Sequence, residues 1–179
     1  GIDMCDIEPG HQVVVIGGGM IGMLMLQLAK LAGAARVALL EPVEKKREMG
    51  RKLGADVCID PLHEDVKARL KEAGMTWIRT VIECAGLPAT MEQAIDLAGN
   101  KGTVMMFGLT KPDAQIAVKP FQIFQKELTL RASFINPHTQ HRALQLIDSG
   151  RLGVESMVCR TTGLEALEHV LAGPALRAG

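Results

Sequence analysis

The sequence predicts an α/β protein with a doubly wound, six-stranded parallel sheet, a Rossmann fold with helices on both faces. Three observations predict it. Short apolar, β-branched runs recur along the chain; segments with helical spacing separate most of them; and the first run ends in a glycine cluster directly before an apolar helical stretch. Runs that are apolar at every position suit strands buried on both faces, and strand alternating with helix implies right-handed crossovers between parallel neighbours.

The strands are predicted at residues 13–16, 37–40, 57–59, 81–83, 104–107 and 128–134, each buried on both faces. Helical patterns lie between them at residues 20–32, 43–53, 64–73 and 89–97, the middle pair with polar faces. The link from the fifth strand to the sixth differs: residues 111–120 are rich in turn formers, and residues 121–126 suffice only for a brief helix. Two helices close the pattern. Residues 138–149 end at Gly150, a natural C-terminal cap, and residues 164–171 follow Thr162, whose spacing to Glu165 fits a capping box. There is no internal repeat and no low-complexity segment.

A chain of 179 residues has the length of one domain, so residues 1–179 are expected to form one unit whose core needs no metal or disulfide staple. Both ends read as cut. Residues 1–6 resemble the tail of a helix running into the Pro9-Gly10 turn, and Arg177-Ala178-Gly179 stops without a closing strand. Lys plus Arg and Asp plus Glu both number 20, so no net field draws the chain to nucleic acid or to an anionic membrane, and a small-molecule partner is expected. Cys5, Cys58, Cys84 and Cys159 stand far apart without a CxxC pair, three of them in apolar runs, which reads as reduced thiols and a cytoplasmic protein. No apolar stretch reaches about 18 residues, and the first eight residues lack the pattern of a signal peptide.

The chemistry-bearing motif is the run Val13-Val14-Val15-Ile16-Gly17-Gly18-Gly19-Met20-Ile21-Gly22, a GxGxxG pattern at a strand-to-helix turn. Position gives each glycine its own role. Gly17 permits the tight turn, Gly19 lets a pyrophosphate approach the backbone, and Gly22 lets the helix lie close on the strand. Amides at the start of that helix lack intrahelical partners and, with the macrodipole, form an anion site that needs no lysine. Glu41 ends the second strand about 20 residues further on, where a carboxylate accepts hydrogen bonds from ribose hydroxyls and repels a 2′-phosphate. That favours NAD over NADP, although Lys45, Lys46 and Arg47 lie close enough for one to grip a phosphate if Glu41 turned away. Most charges of residues 44–48 otherwise read as a solvated first helical turn.

Together, residues 17–22, Glu41, the segment Glu83-Cys84-Ala85-Gly86 and the segment Val104-Met105-Met106-Phe107-Gly108-Leu109 resemble the coenzyme domain of medium-chain, zinc-dependent dehydrogenases, in particular the sorbitol (L-iditol) and threonine dehydrogenase branch. The resemblance runs from about Pro9 to at least Gly150. It implies cofactor contacts at Gly17, Gly19, Met20, Ile21 and Gly22, with Ile21 toward the pyrophosphate and nicotinamide ribose. It further implies Glu41 and Lys46 at the adenosine ribose, with Lys46 standing where sorbitol-type enzymes commonly carry arginine. Cys84 and Ala85 join the contacts at the fourth strand's end, Phe107, Gly108 and Leu109 flank the nicotinamide, and Ser133, Phe134 and Ile135 read its carboxamide. Phe107, Phe134 and Ile135 have a second reading as core filler between sheet and helices, and Cys84 reads first as packing.

No catalytic residue and no metal ligand is expected in this chain. His11, His63, His138, His141 and His169 show no HExxH arrangement and no acidic partner at ligand spacing. In the family that the chain resembles, zinc sits in a separate, mostly β domain, where it stabilises the alkoxide from which hydride leaves. That domain is not recognisable here, so the chain alone is expected to bind cofactor without turning over. The resemblance also implies a homodimer through the edge of the sixth strand, with residues 116–118 nearby. Two further readings stay open: an NADPH-dependent quinone or enoyl reductase of the same superfamily, and a non-catalytic, NAD-sensing Rossmann module.

Overall fold

The computed structural model describes residues 1–135, 138–158 and 160–172. After a single 3-10 turn at Ile2–Met4, the chain runs β1 (Gln12–Ile16), α1 (Met20–Leu31), β2 (Arg36–Leu40), α2 (Glu44–Lys52), β3 (Val57–Ile59), α3 (Val66–Glu72), β4 (Ile78–Glu83), α4 (Pro88–Leu97) and β5 (Thr103–Met106). It continues through α5 (Pro120–Lys126), β6 (Thr129–Ala132), α6 (Gln140–Asp148) and α7 (Leu167–Ala172). The six strands form one sheet in the order β3-β2-β1-β4-β5-β6, and every pair is parallel. Strand order reverses between β1 and β4, which opens a crevice at their C-terminal ends where open α/β sheets take ligands.

Alternate residues of each strand feed two cores. Val13 and Val15 of β1, with Val37, Leu39, Ile82 and Met105, face Met23, Leu26 and Ala29 of α1. Val14 and Ile16, with Ala38, Leu40, Val81 and Val104, face Val66 and Leu70 of α3 and Ala94 and Ile95 of α4. Helices therefore cover both sides, as the apolar runs predict. Each fully buried Leu or Val contributes about 1.5–3 kcal/mol. No helix among the described residues is long and apolar enough to cross a membrane.

The structure corrects the expected elements at four places. β4 begins at Ile78, three residues before its apolar run, because Thr80 is buried with its hydroxyl donating to the Cys5 carbonyl at 3.2 Å. β6 is shorter than expected and mostly exposed, since among the described residues it lies at the sheet edge with a neighbour on one side only. The capping box at Thr162 does not form. The N-cap is Gly163, one residue later, so the first turn at Leu164–Ala166 is a 3-10 turn and the Thr162 hydroxyl turns to the Gly163 carbonyl. α6 starts at Gln140 because His138 has a left-handed backbone (φ +57), and it ends as expected at Gly150 (φ +67), whose N–H reaches the Ile147 carbonyl at 2.9 Å. Cys159 lies outside the described residues.

The packing of α1 on β1 is limited by Gly22. A methyl group there would collide with the Gly17 carbonyl and would lie 3.6 Å from the Val15 side chain. Backbone on one side of the clash leaves nothing flexible to move. Gly22→Ala is expected to lower stability by about 2–3 kcal/mol, read as a shift of the urea midpoint at unchanged slope; an unchanged midpoint would contradict the packing described.

Candidate functional site

The crevice is built from three loops that follow β1, β4 and β5. The first is the glycine turn. Gly17 has φ +96, open to glycine at little cost, and its N–H donates to the Leu40 carbonyl at 2.8 Å. Gly19 is the N-cap of α1 in extended backbone, and the first helical bond runs from the Met23 N–H to its carbonyl at 3.0 Å. No side chain caps α1, so the amides of Met20, Ile21 and Gly22 begin the helix without intrahelical acceptors. Among the described residues a methyl group at Gly19 would meet nothing within 4 Å. Open space in front of an uncapped, twelve-residue helix is the geometry that an anion requires.

Glu41, one residue beyond β2, is buried beside this turn. Its Oε2 accepts from the Gly18 N–H at 2.6 Å and its Oε1 from the Val43 N–H at 2.9 Å. The carboxylate is thereby held at the mouth of the glycine turn and faces it. Each oxygen keeps a second lone pair for another donor. Lys46 stands half-buried in the first turn of α2.

Arg47 departs from its expected role as a free, solvated charge. It is buried, and its Nη1 donates to the Glu41 carbonyl at 2.6 Å and the Pro42 carbonyl at 2.7 Å, while Nε reaches Glu44 at 3.0 Å and Nη1 pairs with Asp60 at 3.2 Å. A guanidinium so engaged holds the chain after β2 and is not available to a phosphate. Sequence alone conceals this, because the partner Asp60 is distant along the chain and a KKR run reads as surface.

The other side of the crevice is organised by Glu83, the last residue of β4, which is fully buried. Its Oε1 accepts from the Ala85 N–H, the Gly86 N–H and the Thr90 hydroxyl at 2.8, 2.9 and 2.8 Å. Ala85 packs directly over Gly17, where a Cβ would come to 3.0 Å from the Ala85 nitrogen. The Phe107 and Gly108 N–H groups both donate to the Glu83 carbonyl at 2.9 Å, so the loop after β5 is tied to the same residue. β5 pairs with β6 through Met106 and Ala132, which carries 107–109 and 133–135 out of the sheet as neighbouring extensions at the same end.

Within these loops Phe107 and Gly108 are half-buried, whereas Leu109 is 89% exposed. Phe107 packs against the α1-side core. Phe134 and Ile135 do not fill the core: they are 94% and 64% exposed beyond the end of β6, because no helix covers that corner among the described residues. Ser133 is half-buried beside them. The turn residues, Glu41 and the 84–86 and 107–109 segments thus converge on one crevice. A separate cavity of about 340 Å³, lined among others by Leu28, Leu31 and Arg142, sits at the opposite end of α1.

Burial pushes the Cys84 thiol up to about 12, and the same cause takes Cys5 to about 12. Cys84 joins the core beneath α1, in keeping with its reading as packing. Two histidines do have acidic neighbours, contrary to expectation: His11 lies 3.5 Å from Glu8, and His63 lies 3.1 Å from Asp60. Both are local pairs three residues apart. Among the described residues no three His, Cys, Asp or Glu side chains converge to hold a metal ion.

Comparison with known proteins adds an independent line. A model of the zinc-binding dehydrogenase family matches residues 20–149. D-arabinitol dehydrogenase 1 of Uromyces fabae is 30% identical over 175 residues, 96% of this chain and 50% of that enzyme. L-threonine 3-dehydrogenase of Caldanaerobacter subterraneus subsp. tengcongensis is 36% identical over 110 residues, 61% of this chain and 31% of that one. A protein of Sinorhizobium meliloti 1021, solved bound to NADP and assigned as a zinc-binding dehydrogenase, superposes with a TM-score of 0.93 at 34% identity, covering 97% of this chain and 52% of its own. The chain spans about half the length of the curated relatives it matches.

The raised thiols have a chemical consequence, since the thiolate is the nucleophile and its fraction at pH 8 is on the order of one in ten thousand for a thiol near 12. Iodoacetamide at pH 8 is expected to leave Cys5 and Cys84 unlabelled in the folded chain and to label both after unfolding, as read by peptide mass spectrometry. Labelling of native Cys84 at the rate of a free thiol would contradict its placement.

Proposed function

The chain belongs to the zinc-binding dehydrogenase family, and from that membership we propose that residues 1–179 are the NAD-binding domain of an alcohol or polyol dehydrogenase. The observation that carries this reading is the corner at Gly19: uncapped amides of α1 face open space at the topological switch point. The diphosphate docks on the amides of Gly19, Met20 and Ile21, with Gly17 shaping the turn and Gly22 seating the helix. Glu41 accepts from the adenosine ribose hydroxyls through its remaining lone pairs, and Lys46 lies along the same half. Cys84, Ala85, Phe107, Gly108 and Leu109 line the nicotinamide half, and Ser133, Phe134 and Ile135 close it at the carboxamide.

Bound NAD supplies the acceptor for a hydride leaving a secondary alcohol. The residues of this chain bind and orient that acceptor. They present no cluster suited to zinc among the described positions, so no step of alcohol activation is assigned to them. Preference for NAD rests on Glu41, whose fixed carboxylate places negative charge where a 2′-phosphate would arrive, and on Arg47, whose engagement removes a candidate phosphate partner. The Sinorhizobium meliloti protein was solved with NADP, which makes a titration with both cofactors the deciding comparison.

In calorimetry, NAD is expected to bind at least about tenfold tighter than NADP, a gap of about 1.4 kcal/mol, and Glu41→Ala is expected to narrow that gap. Gly19→Val should abolish binding of both while the chain still folds, because the first carbon of the added side chain meets no described atom within 4 Å. Tighter NADP binding refutes the cofactor assignment; undiminished binding by the Gly19 variant refutes the docking site.

We also propose a homodimer through β6. An exposed edge strand presents unpaired backbone groups that a second copy satisfies across a two-fold axis. The adjoining α5 leaves Phe121 and Phe124 exposed, with Val118 and Leu130 exposed nearby. Light scattering at micromolar concentration is expected to give twice the chain mass, and Leu130→Lys to give the single chain. A monomeric wild type would dismiss this assembly.

A further inference from the structure

The crevice has a buried carboxylate on each side of the glycine turn. Ile16 is in register with Leu40 on one side and with Glu83 on the other, so Glu41 and Glu83 flank the turn from neighbouring strands. Each oxygen of Glu41 accepts one backbone N–H. Among the described residues Glu83 differs: its Oε1 gathers three donors, while its Oε2 is buried without a hydrogen-bond partner. A carboxylate kept wholly buried with a bare oxygen carries a desolvation cost that a packed apolar residue would avoid. That cost points to a dependence on its geometry beyond packing.

The loops indicate what depends on it. A Cβ at Gly86 would come to 2.6 Å from the Leu109 carbonyl, and one at Gly108 would strike the Gly86 nitrogen and lie 2.5 Å from Glu83 Oε2. The turns after β4 and β5 are therefore in backbone contact directly above this side chain. Glu83 holds the first by its carboxylate and the second by its carbonyl, to which Phe107 and Gly108 donate. Neither turn touches Glu41 or the chain after β2 through any of these bonds.

We propose that Glu83 is a positioning residue for the nicotinamide half of the cofactor, acting through the 85–86 and 107–109 turns and leaving the adenosine half unaffected. This rests on the reading that a dinucleotide spans the crevice. ADP-ribose contains the adenosine, diphosphate and second ribose but no nicotinamide, so it separates the two halves.

The full chain, its Glu83→Leu, Glu83→Gln and Thr90→Val variants are titrated with NADH and with ADP-ribose by calorimetry. Glu83→Leu should weaken NADH at least about tenfold and ADP-ribose at least about threefold less than NADH, the residual effect on ADP-ribose coming from Ala85, which backs Gly17 at the diphosphate turn. Glu83→Gln keeps the accepting oxygen and should hold NADH within about threefold of wild type. Thr90→Val removes the hydroxyl that faces Glu83 Oε1 and also accepts the Leu87 N–H at the start of α4, and should weaken NADH about threefold and ADP-ribose by less; it carries the comparison if the leucine variant does not fold. Equal weakening of both ligands, or loss of NADH binding in the glutamine variant, overturns the role assigned to Glu83 while the dinucleotide reading stands. A wild-type chain that binds neither ligand overturns both.

Discussion

The site depends on how closely α1 approaches β1. Gly22 against the Gly17 carbonyl leaves no room for a side chain, and that contact aims the uncapped start of α1 along the crevice between β1 and β4. Displacing the helix by the width of a methyl group would carry the Met20 and Ile21 amides away from the mouth of the turn. Everything assigned to the diphosphate follows from this contact. It also explains why the local sequence has no basic side chain at the turn: backbone dipoles supply the positive potential.

Around that fixed corner the chain uses buried carboxylates as backbone anchors. Glu41 clips Gly18 to the segment after β2, and Arg47 braces the same segment from below through its carbonyls. Glu83 clips the turn after β4 and supports the one after β5. Hydrogen bonds from amides to ionised acceptors are roughly twice as strong as neutral ones, so a few of them hold loops that have little apolar surface of their own. The result is a rigid rim on a sheet whose edge at β6 remains open.

The α/β class, the six strands, their helices and the glycine turn were legible because they are local. Periodicity and a contiguous motif need no partner elsewhere in the chain. What escaped the sequence was set at long range. Thr80 looks like the wrong residue for a buried strand until the Cys5 carbonyl is brought to its hydroxyl. Arg47 looks like surface until Asp60 and the carbonyls after β2 surround it. Phe134 and Ile135 had core filler as their second reading, because apolar residues usually pack, yet their place beyond an edge strand leaves them uncovered. The spacing of Glu41 from the glycines was readable, but not that both of its oxygens hold the backbone.

The most direct measurement is a crystal structure of the chain grown with NAD. The diphosphate should lie against the amides of Gly19, Met20 and Ile21, with the adenosine ribose at Glu41. Density for the dinucleotide elsewhere, or side chains filling the corner in front of α1, would contradict the account.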